Sequence, residues 1–202
     1  KRSRIVRVPY GVVGIISPWN YPFAIPFSEV VMGLLAGNTV ILKAASETQM
    51  VGHALKECID YAGLPEHVFT YINMPGNKAG DALLDAGVDK LFFTGSVPIG
   101  KYLMKKASEN LTPLVLELGG NDAMIVCEDA DLYRAACGAV WAGMQHAGQS
   151  CGGVERIYVD RKIYHDFLAV LTERGEGLRC GDGNGLMTDI GAMMHRNKTR
   201  DA

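Results

Sequence analysis

The sequence predicts an α/β protein, a parallel sheet flanked by helices and followed by the first part of a second α/β unit. Short runs rich in β-branched and aromatic residues alternate with segments of helical periodicity from Val12 onward. Gly, Asn and Pro punctuate the junctions between them, and no internal repeat or low-complexity linker intervenes. A strand, helix, strand alternation implies parallel strands, because each helix must carry the chain back along a face of the sheet.

Val12–Ile16 (Val-Val-Gly-Ile-Ile) reads as a buried strand. The segment after Pro26, through Val30, Val31, Leu34 and Leu35, reads as a helix stopped at Gly37-Asn38. Thr39–Lys43 is the second strand. Ser46-Glu47-Thr48-Gln49 has the Ser-x-x-Gln form of a capping box, so a helix is expected from Ser46 to about Tyr61, ended by Gly63-Leu64-Pro65. A third strand over 68–72, a short helix over 77–85 and a fourth strand over 90–94 follow. Gly95-Ser96-Val97-Pro98 then turns into a helix reaching about Ser108. After an apolar strand over 114–117, Gly119-Gly120 is a plausible hinge. Beyond it lie a strand over 123–126, a helix over 131–144, a Gly-rich turn and a strand over 156–159. The expected division is 1–118 and 119–202.

Composition narrows the function classes. The chain has 202 residues, 48% of them apolar, enough for one sizeable core and part of another. A net charge of −2 with interspersed signs offers no basic face for a nucleic acid. The longest apolar runs, 30–36 and 12–16, are far shorter than the roughly 20 residues of a membrane span, so no membrane partner is expected. Five cysteines, an odd number at irregular spacing without CxxC pairs, suggest a reducing cytoplasmic setting and neither a disulfide framework nor a metal site.

In a parallel α/β sheet, ligands bind beyond the carboxyl ends of the strands. Asn20, Lys43 and Gly95-Ser96 fall at that place. Cys151 stands in Gly148-Gln149-Ser150-Cys151-Gly152-Gly153, a polar, glycine-flanked turn whose backbone N–H groups can favour a thiolate and receive an oxyanion. Free cysteines are more often small buried hydrophobes, the reading that suits Cys58, Cys127, Cys137 and Cys180, and spacing alone leaves both readings of Cys151 open. Glu117 closes an apolar strand, where desolvation would raise its pKa toward that of a general base; a strand-end glutamate facing solvent is the simpler alternative. Asn20 lies between Pro18 and Pro22, a setting equally suited to ordinary turn chemistry and to donation toward an oxyanion. Gly95-Ser96-Val97-Pro98-Ile99-Gly100 can present a helix N-terminus to a phosphate but lacks the three-glycine dinucleotide fingerprint. His146, five residues before Cys151, raises a Cys–His hydrolase as a further alternative, although its place near a helix end favours a structural role.

Taken together, Gly11-Val12-Val13-Gly14 with Pro18-Trp19-Asn20, Leu42-Lys43, Phe92-Phe93-Thr94-Gly95-Ser96, Leu116-Glu117-Leu118-Gly119-Gly120 and Gly148-Gln149-Ser150-Cys151 resemble the aldehyde dehydrogenase superfamily, over about 8–191. The resemblance implies a Rossmann-like NAD(P)-binding domain at 1–118 and the N-terminal part of a nucleophile-bearing catalytic domain at 119–202. It implies an oxidoreductase that converts an aldehyde to a carboxylic acid through a cysteine thiohemiacetal and thioester. Cys151 matches the nucleophile, Glu117 the general base and Asn20 the side-chain donor of the oxyanion hole. Retention of Glu117 implies hydrolysis rather than acyl transfer to coenzyme A. Ile16, Ser17, Pro18, Trp19, Lys43, Ser46, Gly76, Gly80, Phe93, Gly95, Ser96, Ile99, Leu118 and Gly119 match cofactor-lining positions.

Lys43 resembles the lysine that binds the adenosine ribose. Ser46, where a glutamate would repel a 2′-phosphate, makes NADP plausible beside NAD, with Glu47 weighing against it. Tyr21, Phe27, Met144 and Ser150 fall near the substrate pocket of the family without specifying an aldehyde. Asn121 stands where many members carry lysine, and His146 where many carry asparagine. Complete members are much longer, so the chain is expected to be a fragment of a homodimeric or homotetrameric parent. The alternative is a catalytically incomplete nucleotide-binding fragment.

Overall fold

The computed structural model describes residues 2–183 and 185–195. By its internal contacts the chain divides into two compact units, Lys1–Leu118 and Gly119–Ala202.

The first unit is a five-stranded parallel sheet. Its strands are β1 (Val12–Ile16), β2 (Thr39–Lys43), β3 (Phe69–Ile72), β4 (Lys90–Gly95) and β5 (Leu114–Leu118), in the order β3-β2-β1-β4-β5. The helices are α1 (Ala24–Leu35), α2 (Gln49–Tyr61), α3 (Gly76–Asp85) and α4 (Val97–Ala107). Side chains of a strand alternate between faces, so each strand feeds two cores. Val13, Ile15, Val40 and Leu42 pack with Val30 of α1 and Leu55 of α2. Ile16, Leu91 and Phe93 pack on the other face with Ala79, Leu83 and Leu84 of α3 and Leu103 and Ala107 of α4.

Entry to β1 depends on glycine. Gly11 has φ +123°, and a Cβ there would lie 2.3 Å from Oδ2 of Asp89, which itself accepts the Val12 N–H at 2.7 Å. Asn38 ties the next turn down: its Oδ1 accepts the N–H groups of Tyr10 and Gly11, while its Nδ2 donates to the Gly33 carbonyl.

Two local readings need correction. The capping box at Ser46 does not form. Ser46–Thr48 is instead a single 3-10 turn after Ala45, no side chain caps it, and α2 begins only at Gln49. The first helix starts at Ala24 and takes Pro26 into its first turn, where proline's missing N–H leaves no bond unmade.

The second unit pairs β6 (Asp122–Val126) with β7 (Val154–Val159) in parallel, with a register shift between Asp122 and Ala123. α5 (Leu132–Met144) is capped by Asp131, whose side chain accepts the Arg134 N–H at 3.0 Å. A further helix not anticipated from the sequence, α6 (Tyr164–Glu176), closes a core of Val126, Ala136, Ala139 and Phe167. No helix among the described residues is long and apolar enough to cross a membrane.

Candidate active site

The sheet order reverses direction between β1 and β4, since β1 leads to β2 on one side and to β4 on the other. Such a switch point opens a crevice at the carboxyl ends of the strands. A pocket of about 250 Å³ lies there. Five residues expected at a nucleotide line it, namely Ile16, Gly76, Gly80, Phe93 and Ile99. Ile16 and Phe93 are register partners across the two strands that flank the switch. Sequence reasoning missed Asn77, Asp81, Tyr102 and Leu103, which complete the lining. Their contribution depends on how α3 packs against α4, which periodicity does not reveal. The Tyr102 hydroxyl donates to Asp81 Oδ1 at 2.6 Å, and Lys106 reaches the same carboxylate at 3.3 Å, holding that rim in place.

Lys43 ends β2 in register with Ile16 and is only 3% exposed. Burial holds its ammonium below the usual lysine pKa, with the nearby Glu47 carboxylate opposing the shift. No salt bridge among the described residues includes Lys43. Its Nζ lies 3.5 Å from where a Cβ would stand on Gly76, so the bare glycine backbone gives the ammonium its room. A buried ammonium held in no salt bridge is a ready site for hydroxyl or phosphate oxygens. Ser46 is exposed on the turn that follows.

The remaining expected positions ring the same sheet edge. Ser17 is buried and its N–H donates to the Lys43 carbonyl at 3.1 Å, joining the β1 and β2 exits. Pro18 and Trp19 follow, both half-buried. The Phe93 ring lies against Gly95, where a Cβ would meet Cζ at 2.5 Å, and Ser96 is the extended residue that precedes α4 without capping it. Leu118 packs against Gly100, whose Cβ would fall 2.8 Å from the leucine Cδ2. Gly80 has a packing role as well, since a Cβ there would collide with Leu103 at 2.3 Å.

Asn20 is half-buried in the loop between β1 and α1, and its Oδ1 accepts the Tyr21 N–H at 3.1 Å, which sets the plane of the amide. Phe23 and Phe27, one helical turn apart, stack with ring centroids 5.2 Å apart and remain exposed. Of the two readings that the sequence leaves open for Glu117, the structure shows the solvent-facing one, since its side chain is exposed. Glu117 is the register partner of Thr94, hence on the same face of the sheet, the face that α1 covers.

The desolvated carboxyl is Glu29 of α1, 9% exposed and pushed up to about 7, by burial first and then by Glu117, against a hydrogen bond from Thr94 that lowers it. Sequence reasoning passed over Glu29, although a lone carboxylate within Ala-Ile-Pro-Phe-Ser-Glu-Val-Val-Met-Gly-Leu-Leu was a signal to be read.

In the second unit, Cys151 is exposed on a turn closed by the Gly153 N–H donating to the Ser150 carbonyl at 3.3 Å. The preceding turn is strained, with His146 at φ 54° and Ala147 at φ 56°, both left-handed without being glycine. Gln149 braces it: its Nε2 donates to the His146 carbonyl at 2.9 Å and its Oε1 accepts the Met194 N–H at 2.8 Å. His146 thus lies near a helix end, as expected, in the kinked turn that follows the last residue of α5, Met144. Gly119 and Gly120 precede β6, both exposed.

A parallel α/β sheet with a crevice at its switch point is the architecture of nucleotide-binding enzymes, and here it is joined to a unit that displays a cysteine on a braced turn. The chain belongs to the aldehyde dehydrogenase family, whose model matches residues 1–202. It is 40% identical over 192 residues to the 4,4'-diapolycopene aldehyde oxidase of a Methylomonas species, covering 95% of this chain and 36% of that protein. It is 36% identical to the D-glyceraldehyde dehydrogenase (NADP(+)) of Picrophilus torridus, over 95% of this chain and 38% of the relative. A crystal structure of an NAD-dependent aldehyde dehydrogenase from Sinorhizobium meliloti superposes with a TM-score of 0.92 at 37% identity, covering 96% of this chain and 39% of that one. The chain thus spans about two fifths of the length of the relatives it matches.

Proposed function

We propose that the full-length protein oxidises an aldehyde to a carboxylic acid with NAD or NADP, using Cys151 as nucleophile. The observation that carries the nucleotide half of this reading is the switch-point pocket with the buried ammonium of Lys43 beside Gly76 of its wall. Lys43 would hold ribose hydroxyls or a 2′-phosphate. Ile16, Gly76, Gly80, Phe93 and Ile99 would form the pocket wall. Ser17, Pro18, Trp19, Gly95, Ser96, Leu118 and Gly119 would line the rest of the path. When bound, the cofactor supplies a hydride acceptor. Ser46 supports acceptance of NADP.

The thiolate of Cys151 adds to the aldehyde carbonyl carbon, and the resulting oxyanion is held by the Asn20 amide and the Cys151 N–H. Loss of hydride from that carbon leaves a thioester on Cys151. Glu117 takes a proton from water, hydroxide adds to the thioester, and collapse releases the acid and restores the thiolate. The balance is one aldehyde and one water consumed, with one acid, one hydride and one proton released. Lowering Cys151 into a buried position would defeat this chemistry; its exposure on a glycine-flanked turn supports it. We further take the parent to be a cytoplasmic homodimer or homotetramer, a setting that an odd number of cysteines suits.

The test is reduction of NAD or NADP by the full-length protein with propanal or benzaldehyde. Activity that disappears in Cys151→Ala while cofactor binding persists is the expected result. An inactive parent that still binds nucleotide would favour the alternative, a nucleotide-binding protein without catalysis.

A further inference from the structure

Glu29 is the one carboxylate of α1, and its placement is unusual. Its Oε1 accepts a hydrogen bond from the Thr94 hydroxyl at 3.3 Å, and its Oε2 is buried without any donor. A charged oxygen left so is costly, whereas a protonated one is far less so, and the geometry alone therefore favours a proton on Glu29. Thr94 and Glu117 are register partners at the ends of β4 and β5, so both approach the α1 face on which Glu29 sits. The neighbouring strands present Val13, Ile15, Val40 and Leu42 to this face, and Phe69 and Tyr71 of β3 pack partly buried against the same core, with burial holding the Tyr71 phenol in its neutral form. The cation on the same face of β4, Lys90, stands at the far end of the strand over the rings of Tyr10 and Phe92, at 4.3 and 5.4 Å. Glu117 is thus the charged group that acts on Glu29.

We propose that Glu29 is the proton-holding partner of Glu117, a positioning residue that receives the proton which Glu117 removes from water and so returns Glu117 to its ionised form. This rests on the reading of Glu117 as general base. Once Glu29 has released its own proton, as pH rises through neutrality, the proton leaves water for a Glu117 oxygen and then passes to Glu29. No electrons change hands, and bulk water removes the proton before the next turnover. Glu117 disfavours charge on Glu29, so removing the Glu117 charge should let Glu29 release its proton more readily.

Two measurements on the full-length protein test this. The first is an infrared titration without cofactor or aldehyde. A protonated carboxyl band that persists toward neutrality, vanishes in Glu29→Gln and titrates at lower pH in Glu117→Gln is expected. Absence of the band, or a midpoint unmoved by Glu117→Gln, overturns the pairing. Glu117 is exposed, so that variant leaves the core intact and keeps the test available even where Glu29→Gln fails to fold. The second is the single-turnover rate of thioester hydrolysis against pH. The native protein should show a rise near neutrality that Glu29→Gln lacks, with hydrolysis about tenfold slower on the alkaline side and an unchanged KM. A Glu29→Gln profile that follows the native one overturns the role in proton transfer. Failure of the dehydrogenase reading shows itself separately, as hydrolysis that survives in Glu117→Gln, and leaves the infrared result untouched.

Discussion

Glu29 gives the protein a pH dependence whose sign follows from burial. Its pKa is raised from 4.5 to about 7 in the folded chain, so the folded state holds a proton that the unfolded state releases. The stabilisation is fully present below the unfolded value and is lost as pH rises through about 7. Burial at 9% exposure leaves little solvent screening, and the loss should amount to about 3 kcal/mol. Urea unfolding at pH 5 and pH 8 checks this: the midpoint should fall at the higher pH in the native chain and change much less in Glu29→Gln. At the cofactor, Ser46 is exposed one turn from Lys43, and a carboxylate there would confront a 2′-phosphate. Ser46→Glu should raise the Kd for NADP about tenfold or more with little effect on NAD, as read by fluorescence titration. Equal weakening of both would remove Ser46 from that role. At this scale the sequence was a partial guide: motifs singled out Cys151, Asn20 and Lys43, and for Glu117 it left a desolvated and a solvent-facing reading open, whereas the buried carboxylate, Glu29, was passed over. Apolar sequence neighbours on a strand point to the two faces in turn, so they do not predict burial of the residue between them.

Among the elements, the strands were the most legible. In the central strands β1, β2 and β4 nearly every residue is buried or half-buried, and all seven expected segments match the observed ones within two residues at each end. Helix ends were less so, because Ser46-Glu47-Thr48-Gln49 satisfies the capping pattern while the backbone takes a 3-10 turn and defers α2 to Gln49. α6 escaped altogether. It buries one residue fully, Phe167, with Ile163, Val170 and Leu171 partly buried beside it, an apolar stripe at helical spacing that the sequence reading passed over. That single anchor leads to a strong expectation. Phe167 is 2% exposed in the small core of the second unit, and Phe167→Ala should cost about 3–5 kcal/mol. Hydrogen exchange should show the loss concentrated in α5, α6, β6 and β7; a uniform or negligible change would mean that α6 is not held through this ring.

For the whole molecule, the alternation of side chains across one parallel sheet separates two tasks. The face covered by α3 and α4 carries Ile16 and Phe93 to the pocket at the switch point, with Lys43 beside Gly76 of its wall. The face covered by α1 carries Thr94, Glu117 and Glu29. Strands that end in register thus send consecutive residues, such as Phe93 and Thr94, to the proposed cofactor side and the proposed proton side. The sequence disclosed the parallel order but not this division, which needs the register between strands. The central claim is that Cys151 is acylated during turnover and that Glu117 supports its release. Intact-protein mass measurement of full-length Glu117→Gln, mixed with propanal and NAD or NADP, tests this most directly. The expected result is one equivalent of reduced cofactor in a rapid burst and a propanoyl adduct on Cys151 that decays about 100-fold or more slowly than in the native protein. No adduct on Cys151, or an adduct that decays at the native rate, would contradict it.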